Sequence, residues 1–338
     1  MANRSFWQGR PVFVTGGTGL LGGWLVSSLV DLGAEVVVLV RNCTARSMVT
    51  STSIADRVSL VVGDLQDTAL IRRTMTGYSV DTVFHLAAQA IVGKAATDPI
   101  STLEVNVRGT WNLLDASRQC GVKQVLVASS GKAYGSSPDV PYTENTPLQG
   151  RHPYDVSKSC ADLISTMFAL SCDLPVSIVR CANLFGGADM NFSRMIPDLI
   201  RATLRGEPFE IRSDGRSRRD FLYVRDAVEA YLSLAEALAG NRSFSGEAFN
   251  FGLERQIRLL DLVRTVLDLM GRSDLQPTIR NSVNGEIQDQ YLCCERARKL
   301  LGWEPAYTLE QGLIETIAWY RAFFQADVAV PASALATA

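Results

Sequence analysis

Short, continuous runs of apolar and β-branched residues alternate with longer amphipathic segments over the first half of the chain. Six such runs have the length of strands and lie at 11–16, 35–40, 58–64, 82–88, 124–130 and 176–181. Because these runs are apolar throughout, both faces of each strand should be covered, as in a parallel sheet between helices. The segments between them, such as 19–33 and 101–121, have helical periodicity and end at glycine, a common helix stop. The pattern predicts an α/β fold with a doubly wound parallel sheet.

After about residue 181 the pattern changes to shorter, mixed elements. Four segments there have helical periodicity, namely 192–206, 226–240, 259–271 and 309–324, and 249–252 is a candidate short strand. We therefore predict a sheet domain of the Rossmann type over residues 1–180. Residues 181–338 should form mainly a smaller α/β lobe that binds the substrate, with some segments returning to the sheet domain. The lobe is expected to pack on the carboxyl edge of the sheet.

Composition excludes several classes of protein. The chain has 338 residues, 47% of them hydrophobic, and a formal net charge of −2, which predicts no binding of nucleic acid or of an anionic membrane. No run approaches the ~18 apolar residues of a membrane span, and the N-terminus lacks a signal-peptide pattern. Seven irregularly spaced cysteines predict reduced thiols, which fits a cytoplasmic protein. With two histidines, His85 and His152, we expect no metal site.

The turn after the first apolar run is rich in glycine. Gly16, Gly19 and Gly22 have the spacing G-x-x-G-x-x-G, and Leu20 and Leu21 lie within it. Glycines at this place let backbone N–H groups and a helix N-terminus approach a pyrophosphate, because side chains would block the approach. Between a strand and a helix, this spacing predicts binding of a nicotinamide dinucleotide.

The end of the second strand should contact the ribose of that dinucleotide. A carboxylate at this position would accept hydrogen bonds from the 2′-hydroxyl of NAD, but the strand is followed by Arg41. A guanidinium favours a 2′-phosphate, so the sequence favours NADP, with NAD as the alternative. The end of the third strand is expected near the adenine and that of the fourth near the nicotinamide. The residues concerned are Asp64, Leu65, Leu86, Ala87 and Ala88.

Tyr154 and Lys158 have the spacing Y-x-x-x-K, which on a helix places both side chains on one face. A lysine ammonium beside a phenol favours the phenolate, so we expect the pKa of Tyr154 to be lowered toward working pH. Ser130, at the end of the fifth strand, would supply a hydroxyl that holds the substrate oxygen. The alternative is a tyrosine and a lysine that only share a helix face.

Several motifs occur in a characteristic order from residue 12 to about 230. They are TGGTGLLG, GDL, HLAAQ, NVRGTWNLL, SSGKAYG, PYDVSK, RCANLFGG and RRDFLYVRD, with a weaker LGWEP near residue 301. In this order they resemble the nucleotide-sugar branch of the extended short-chain dehydrogenase/reductase family. The resemblance implies that Ser130, Tyr154 and Lys158 form a catalytic triad, with Asn106 as a structural partner. It also implies a tightly bound, recycled NADP or NAD.

The resemblance further implies a nucleotide-diphosphate sugar as substrate. Asn183 and Arg219 match positions that contact the diphosphate, and Gln89 is a further candidate for contact with the substrate. The planar fork of an arginine suits such a role, because it pairs with two phosphate oxygens. We also expect the protein to be a homodimer.

Within this branch the chain is most similar to the CDP-glucose and GDP-mannose 4,6-dehydratases. These enzymes place two further groups after the triad serine or threonine. The first is commonly an aspartate that acts as an acid on the 6-hydroxyl, with serine in the GDP-mannose enzymes, and the second is a glutamate or lysine base for C5–H. Here the second is Lys132, but the first is Gly131. Lys132 therefore favours dehydration, whereas Gly131 removes the usual acid, for which a water could substitute.

The favoured function is oxidation of an NDP-hexose at C4, deprotonation at C5 by Lys132 and return of the hydride to C6, which gives an NDP-4-keto-6-deoxyhexose. Lys132 must be neutral to act as a base, and Lys158 and the oxidised nicotinamide should lower its pKa. An NDP-sugar 4-epimerase needs no such base and is the alternative, followed by reductase or other chemistry. A non-catalytic nucleotide-binding protein of the same fold is the alternative from another class.

Overall fold

The structure is a computed structural model that describes residues 2–42, 47–50, 52–137, 139–281 and 289–329. Within these residues, seven parallel strands form the central sheet. They are β1 (Pro11–Thr15), β2 (Glu35–Val40), β3 (Ser59–Val62), β4 (Thr82–His85), β5 (Gln124–Ala128), β6 (Val176–Cys181) and β11 (Ala248–Phe251). Their order across the sheet is β11-β6-β5-β4-β1-β2-β3. The predicted doubly wound parallel sheet is confirmed.

Helices cover both faces of this sheet, as the apolar strands require. The helices are α1 (Arg4–Trp7), α2 (Leu20–Asp31), α3 (Thr68–Gly77), α4 (Val92–Thr97), α5 (Pro99–Leu103), α6 (Gly109–Gln119), α7 (Pro153–Cys172), α8 (Met195–Arg205), α9 (Val224–Gly240), α10 (Leu259–Leu269), α11 (Glu295–Leu301) and α12 (Leu309–Ala329). Alternate strand residues face opposite cores: Val12 and Val14 pack with α2 and α9, and Phe13 packs with α3, α6 and α7. No described helix has both the length and the apolarity to cross a membrane.

Short elements complete the fold. The remaining strands of the described residues are β7 (Asn183–Phe185), β8 (Glu210–Ile211), β9 (Arg218–Arg219), β10 (Phe221–Tyr223), β12 (Ile257–Arg258), β13 (Thr278–Ile279) and β14 (Asp289–Gln290). Single helical turns lie at Ala55–Arg57, Gly131–Tyr134 and Arg242–Phe244. A π-helical turn, Glu104–Arg108, joins α5 to α6, so the segment predicted as one helix over 101–121 is interrupted.

The C-terminal part of the chain contributes to two cores. Side chains of α8, α10 and α12 enclose a separate apolar cluster with residues of β7 and β10. In contrast, β11 pairs with β6 at the edge of the main sheet, and α9 packs against that sheet. Residues after 181 therefore build a lobe and also return to the sheet domain. The domain boundary near residue 180 stays a prediction.

A buried ion pair joins the sheet to α7. Arg180, on β6, donates from Nε and Nη2 to the two carboxylate oxygens of Asp162, on α7, at 2.8 Å each. Its Nη1 also donates to the hydroxyl of Tyr134 at 2.8 Å, and that hydroxyl donates to Asn250 Oδ1 at 2.7 Å. Tyr134 closes the helical turn Gly131–Tyr134, so one guanidinium fixes this turn relative to both α7 and β6.

Candidate active site

The glycine-rich turn lies between β1 and α2, directly against the segment that follows β4. Gly16 has φ +74°, and a Cβ there would stand 2.6 Å from the backbone nitrogen of Ala87 and 2.7 Å from the carbonyl carbon of Leu86. The Leu86 N–H also donates to the Thr15 carbonyl at 3.1 Å. The structure thus brings Gly16, Leu86 and Ala87 together, and only glycine fits this close approach.

The start of α2 is open to a ligand. A Cβ on Gly22 would lie 2.1 Å from the Gly16 carbonyl oxygen, so the helix packs directly on the turn. Gly19 is the N-cap, and no described side chain caps the helix there. A Cβ on Gly19 would meet only the Gly16 oxygen within 4 Å, at 3.4 Å. The N–H groups of the first turn can therefore donate hydrogen bonds to an anion such as a pyrophosphate, and the turn fits a dinucleotide.

The other residues predicted for the cofactor lie at the same edge of the sheet. Arg41 follows β2 and is exposed, and Asp64 follows β3, where its carboxylate accepts the Gln66 N–H at 2.9 Å. Leu65 is buried, and its carbonyl accepts a hydrogen bond from Asn112 Nδ2 at 3.1 Å. Because β1, β2 and β3 are parallel, their carboxyl ends place these residues beside the glycine turn. Leu20 is buried and Leu21 partly buried behind it.

The three residues of the predicted triad meet at the carboxyl end of β5. The Ser130 hydroxyl accepts the Lys132 N–H at 3.2 Å and begins the turn Gly131–Tyr134. The same hydroxyl forms a hydrogen bond with the Tyr154 side chain from the first turn of α7. One turn later on α7, Lys158 Nζ donates to the carbonyl of Ala128 at 2.6 Å.

The expected lowering of the tyrosine pKa is wrong. Burial raises the pKa of Tyr154 above its ordinary value, and this effect outweighs the hydrogen bond from Ser130 and the positive charge of Arg194. Burial also lowers the pKa of Lys158 to about 8, against the opposing charge of Asp162. The desolvation that accompanies burial disfavours the charged form of both groups, which spacing along a helix does not reveal.

A cleft opens beside Ser130, between the turn Gly131–Tyr134 and the C-terminal lobe. Its walls include Ser130, Gly131, Lys132 and Asn183 of the predicted residues, together with Cys181, Asp220, Gln290 and Leu292. Lys132 therefore lines the cleft and is not simply a surface residue. The opening of the cleft lies at the carboxyl ends of β5 and β6, where ligands bind in sheets of this kind.

Gly131 has a structural reason to be glycine. A Cβ at this position would lie 3.2 Å from Leu292 Cδ2 and 3.4 Å from the Cys181 carbonyl oxygen. The Gly131 carbonyl accepts a hydrogen bond from Gln290 Nε2 at 3.0 Å. The segment Gln290–Leu292 thus packs where an acidic side chain would begin, so an aspartate would require Leu292 to shift.

Asn106 connects the segment after β4 to α7. It lies in the π-helical turn, where its Oδ1 accepts the Gln89 N–H at 2.7 Å. Its Nδ2 donates to the Gln89 carbonyl at 3.1 Å and to Ser157 Oγ at 2.9 Å. The Gln89 side chain in turn accepts the Ile91 N–H at 3.0 Å. The Asn106 amide therefore fixes the backbone of Gln89 relative to the helix that carries Tyr154.

Asn183 on β7 and Arg219 on β9 belong to the part of the chain after residue 181. The backbone N–H and the Nδ2 of Asn183 both donate to the Asp220 carbonyl, at 3.1 and 3.0 Å. Arg219 is buried on β9, and its Nη1 donates to the Arg218 carbonyl at 2.9 Å. Asn183 and Asp220 line the cleft, and Arg219 is the residue before Asp220 in the sequence.

Sequence reasoning missed several groups near the site. His85 is buried between the hydroxyls of Thr15 and Thr110, at 2.8 and 3.1 Å, and burial together with Lys158 lowers its pKa to about 3. It is a neutral structural residue. Asp220 is also buried, and burial raises its pKa to about 7 against hydrogen bonds from backbone N–H groups. The sequence spacing of such residues does not predict their burial, because segments distant in the chain cover them.

Comparison with known proteins identifies one family, whose members include dehydratases and epimerases. Residues 12–252 match a family described as the NAD dependent epimerase/dehydratase family. The chain is 31% identical to the CDP-glucose 4,6-dehydratase of Salmonella typhimurium, over 97% of this chain and 95% of that protein. It is 30% identical to the UDP-glucose 4-epimerase of Mycolicibacterium smegmatis, over 91% and 97%. The structure resembles DesIV, a dTDP-glucose 4,6-dehydratase of Streptomyces venezuelae crystallised with NAD, with a TM-score of 0.82, 27% identity and coverage of 92% and 97%.

The open space at Gly19 gives a first prediction. Gly19→Ala should fold normally, because its Cβ has room, yet bind a nicotinamide dinucleotide at least about tenfold more weakly, since the methyl group occupies the space beside the helix N-terminus. Thermal melting and titration with the dinucleotide measure the two effects. Gly22→Ala, which places a Cβ against backbone, is the contrasting variant and should lose stability. Unchanged binding by Gly19→Ala would show that the ligand does not approach here.

Proposed function

Because the chain belongs to the NAD dependent epimerase/dehydratase family, we propose that it is a nucleotide-sugar 4,6-dehydratase that converts an NDP-hexose into an NDP-4-keto-6-deoxyhexose. The observation that carries the proposal is the position of Lys132, which lines the cleft two residues after Ser130. Such a product belongs to the biosynthesis of deoxysugars.

The residues at the end of β5 would carry out the proton transfers at C4. As a phenolate, which burial disfavours, Tyr154 would accept the proton of the C4 hydroxyl, and Ser130, which is hydrogen-bonded to Tyr154, would orient the same oxygen. The glycine-rich turn before α2 would hold a nicotinamide dinucleotide, which would supply the hydride chemistry at C4 and C6. Lys158 holds the carbonyl of Ala128 and so fixes the strand end that carries Ser130.

Lys132 would carry out the step that distinguishes dehydration. The ketone at C4 acidifies C5–H, and a neutral lysine amine in the cleft can remove that proton. The departing C6 hydroxyl also needs a proton, which Gly131 cannot donate. We propose that a water in the cleft protonates this hydroxyl as it leaves, and that the protonated Lys132 returns its proton to C5 when the hydride reaches C6.

The 4-epimerase remains the second candidate, and one observation favours it. The wall formed by Gly131 and Leu292 leaves no acidic side chain at the position where many dehydratases have one. In an epimerase, Lys132 would be a charge in the cleft that contacts the substrate. In both functions we propose that Gln89, Asn183 and Arg219 hold the nucleotide-diphosphate sugar.

A panel of nucleotide sugars separates these functions. Incubation with CDP-, GDP-, dTDP- and UDP-hexoses, followed by mass spectrometry, should give one product that has lost water. Tyr154→Phe should lower kcat by ~10²–10⁴-fold, because it removes the proton acceptor at C4 but little contact area. A product of unchanged mass would favour the epimerase over the dehydratase. Full activity of a folded Tyr154→Phe variant would contradict both proposed functions.

We propose that the cofactor is NADP, with NAD as the alternative that the family description and the NAD-bound relative support. Arg41 is exposed at the end of β2, where a guanidinium can pair with a 2′-phosphate. Arg41→Asp should therefore shift the ratio of the two Kd values toward NAD by about tenfold or more. Titrations of both cofactors measure this ratio, and Arg41→Lys is the matched control. An unchanged ratio after Arg41→Asp would exclude Arg41 from the ribose site.

We propose that the protein is a homodimer formed through α6 and α7. Large apolar side chains on these helices are exposed, namely Trp111, Leu163 and Met167. Arg72 and Asp115 line the groove beside them, so the face carries both signs of charge and suits contact with a second copy across a two-fold axis.

This assembly is tested in solution. The wild type should sediment with twice the mass of the 36.9 kDa chain, and Leu163→Asp combined with Met167→Asp should give monomers, since it places charge in the apolar contact. Leu300→Asp on α11 is the control, because Leu300 is similarly exposed outside this face. A dimer that survives the double substitution uses another surface.

A further inference from the structure

An amide side chain from the C-terminal part of the chain reaches the turn that carries Lys132. Gln290 lies on β14, which pairs with β9, and only 6% of the residue is exposed. Its Nε2 donates to the Gly131 carbonyl at 3.0 Å. Gln290 also forms part of the wall of the cleft, together with Ser130 and Lys132. One hydrogen bond therefore brings this amide next to the residue that lies between Ser130 and Lys132.

The hydrogen bond to Gly131 decides which way the amide points. A carbonyl oxygen only accepts hydrogen bonds, so the nitrogen of the Gln290 amide must face Gly131 and its Oε1 must face away. No residue that the structure describes donates to this oxygen, and the protein does not enclose it. Most polar atoms of nearly buried side chains have a partner. Oε1 of Gln290 is therefore an acceptor that opens toward the cleft and is available to a ligand.

Asp220 holds the backbone of the segment that carries this amide. The Asp220 N–H donates to the Gln290 carbonyl at 3.1 Å, and Asp220 Oδ2 accepts the Leu292 N–H at 3.4 Å. The same carboxylate accepts the N–H groups of Leu253 and Glu254, at 3.0 and 3.2 Å, so Asp220 is itself fixed. A ligand that binds Oε1 of Gln290 therefore meets an acceptor whose position is already set, which lowers the cost of ordering it.

The size of the cleft limits which group can reach this oxygen. The cleft between Ser130, Gln290 and Leu292 has a volume of about 20 Å³, which is enough for one water or one hydroxyl group but not for a sugar ring. A group that reaches Oε1 must therefore project from a ring that stays at the mouth of the cleft. In a hexose, the hydroxyl at C6 is carried on a carbon outside the ring and projects in this way.

We propose that Gln290 binds the sugar of the substrate, with its Oε1 accepting a hydrogen bond from the hydroxyl at C6. The inference rests on the proposed nucleotide-sugar substrate, in which Ser130 orients the oxygen at C4 and Lys132 faces C5. The Gly131 carbonyl lies between these two residues and positions the amide beside them. Gln290 therefore orients the C6 hydroxyl from a neighbouring segment, where Gly131 has no side chain of its own.

A different explanation is that Gln290 only supports the turn Gly131–Tyr134. The hydrogen bond from Nε2 to the Gly131 carbonyl would then be the whole role of the side chain, and its loss would weaken the binding of every sugar alike. A contact with the C6 hydroxyl affects only those sugars that carry this hydroxyl. The preference for a hexose over its 6-deoxy analogue therefore separates the two explanations.

The experiment measures binding to the cofactor-loaded protein that carries Tyr154→Phe, which prevents turnover during the titration. The CDP-, GDP-, dTDP- or UDP-hexose that binds most tightly is compared with its 6-deoxy and 3-deoxy analogues. Loss of the C6 hydroxyl should raise the Kd about three- to tenfold, as for one hydrogen bond. Adding Gln290→Met should abolish this preference but leave the effect of the 3-deoxy analogue unchanged. Gln290→Glu, which keeps an acceptor but loses the donor to Gly131, should retain the preference.

The outcomes separate this contact from the proposed function. A Kd that is unchanged by removal of the C6 hydroxyl overturns the contact, and this comparison holds even if Gln290→Met does not fold. A preference that survives Gln290→Met also overturns it, because another group then binds that hydroxyl. If Gln290→Met and Gln290→Glu weaken the binding of all three sugars alike, Gln290 only supports the turn. A preference that Gln290→Met abolishes supports the contact, even if the product has unchanged mass and the enzyme is an epimerase. Binding of none of the four hexoses would overturn the proposed substrate class and the contact with it.

Discussion

The arrangement of the site depends on one buried guanidinium. Arg180 binds both carboxylate oxygens of Asp162 and the hydroxyl of Tyr134, so it joins β6, α7 and the turn Gly131–Tyr134 in a single network. Removal of one member of such a buried pair is expected to cost about 3–5 kcal/mol, because the other charge is left without a partner. Tyr154 and Lys158 are carried by α7 and Lys132 by the turn, and their relative positions follow from this network.

The fold and the cofactor edge could be predicted because they depend on local patterns. Continuous apolar runs indicated strands covered on both faces, and the structure places six of them in the sheet. The glycine spacing is equally local. A Cβ on Gly16 or Gly22 would lie 2.1–2.6 Å from the nearest backbone atom, so only glycine fits at these two positions. The Tyr154–Lys158 spacing placed both residues on one helix. Parallel strands then bring the ends of these elements to one edge.

What the sequence could not reveal depends on segments distant in the chain. Leu292 lies about 160 residues after Gly131 in the sequence but packs on it in the fold. This contact gives a structural reason for the glycine, whereas the sequence alone suggested only that an acidic group was missing. The burial that raises the pKa of Tyr154 is likewise a tertiary effect. The comparisons include both a dehydratase and an epimerase, so the choice between these functions depends on the chemistry of Lys132.

The central claim is that Lys132 removes a proton from C5 of the sugar. The most direct measurement is the reaction in heavy water with the nucleotide sugar that is turned over, followed by NMR of the product at C5. The account predicts deuterium at C5 with the wild type. It also predicts that Lys132→Ala loses dehydration while the first hydride transfer, seen as reduced cofactor absorbance, persists. A product without deuterium at C5, and full turnover by a folded Lys132→Ala, would contradict the account.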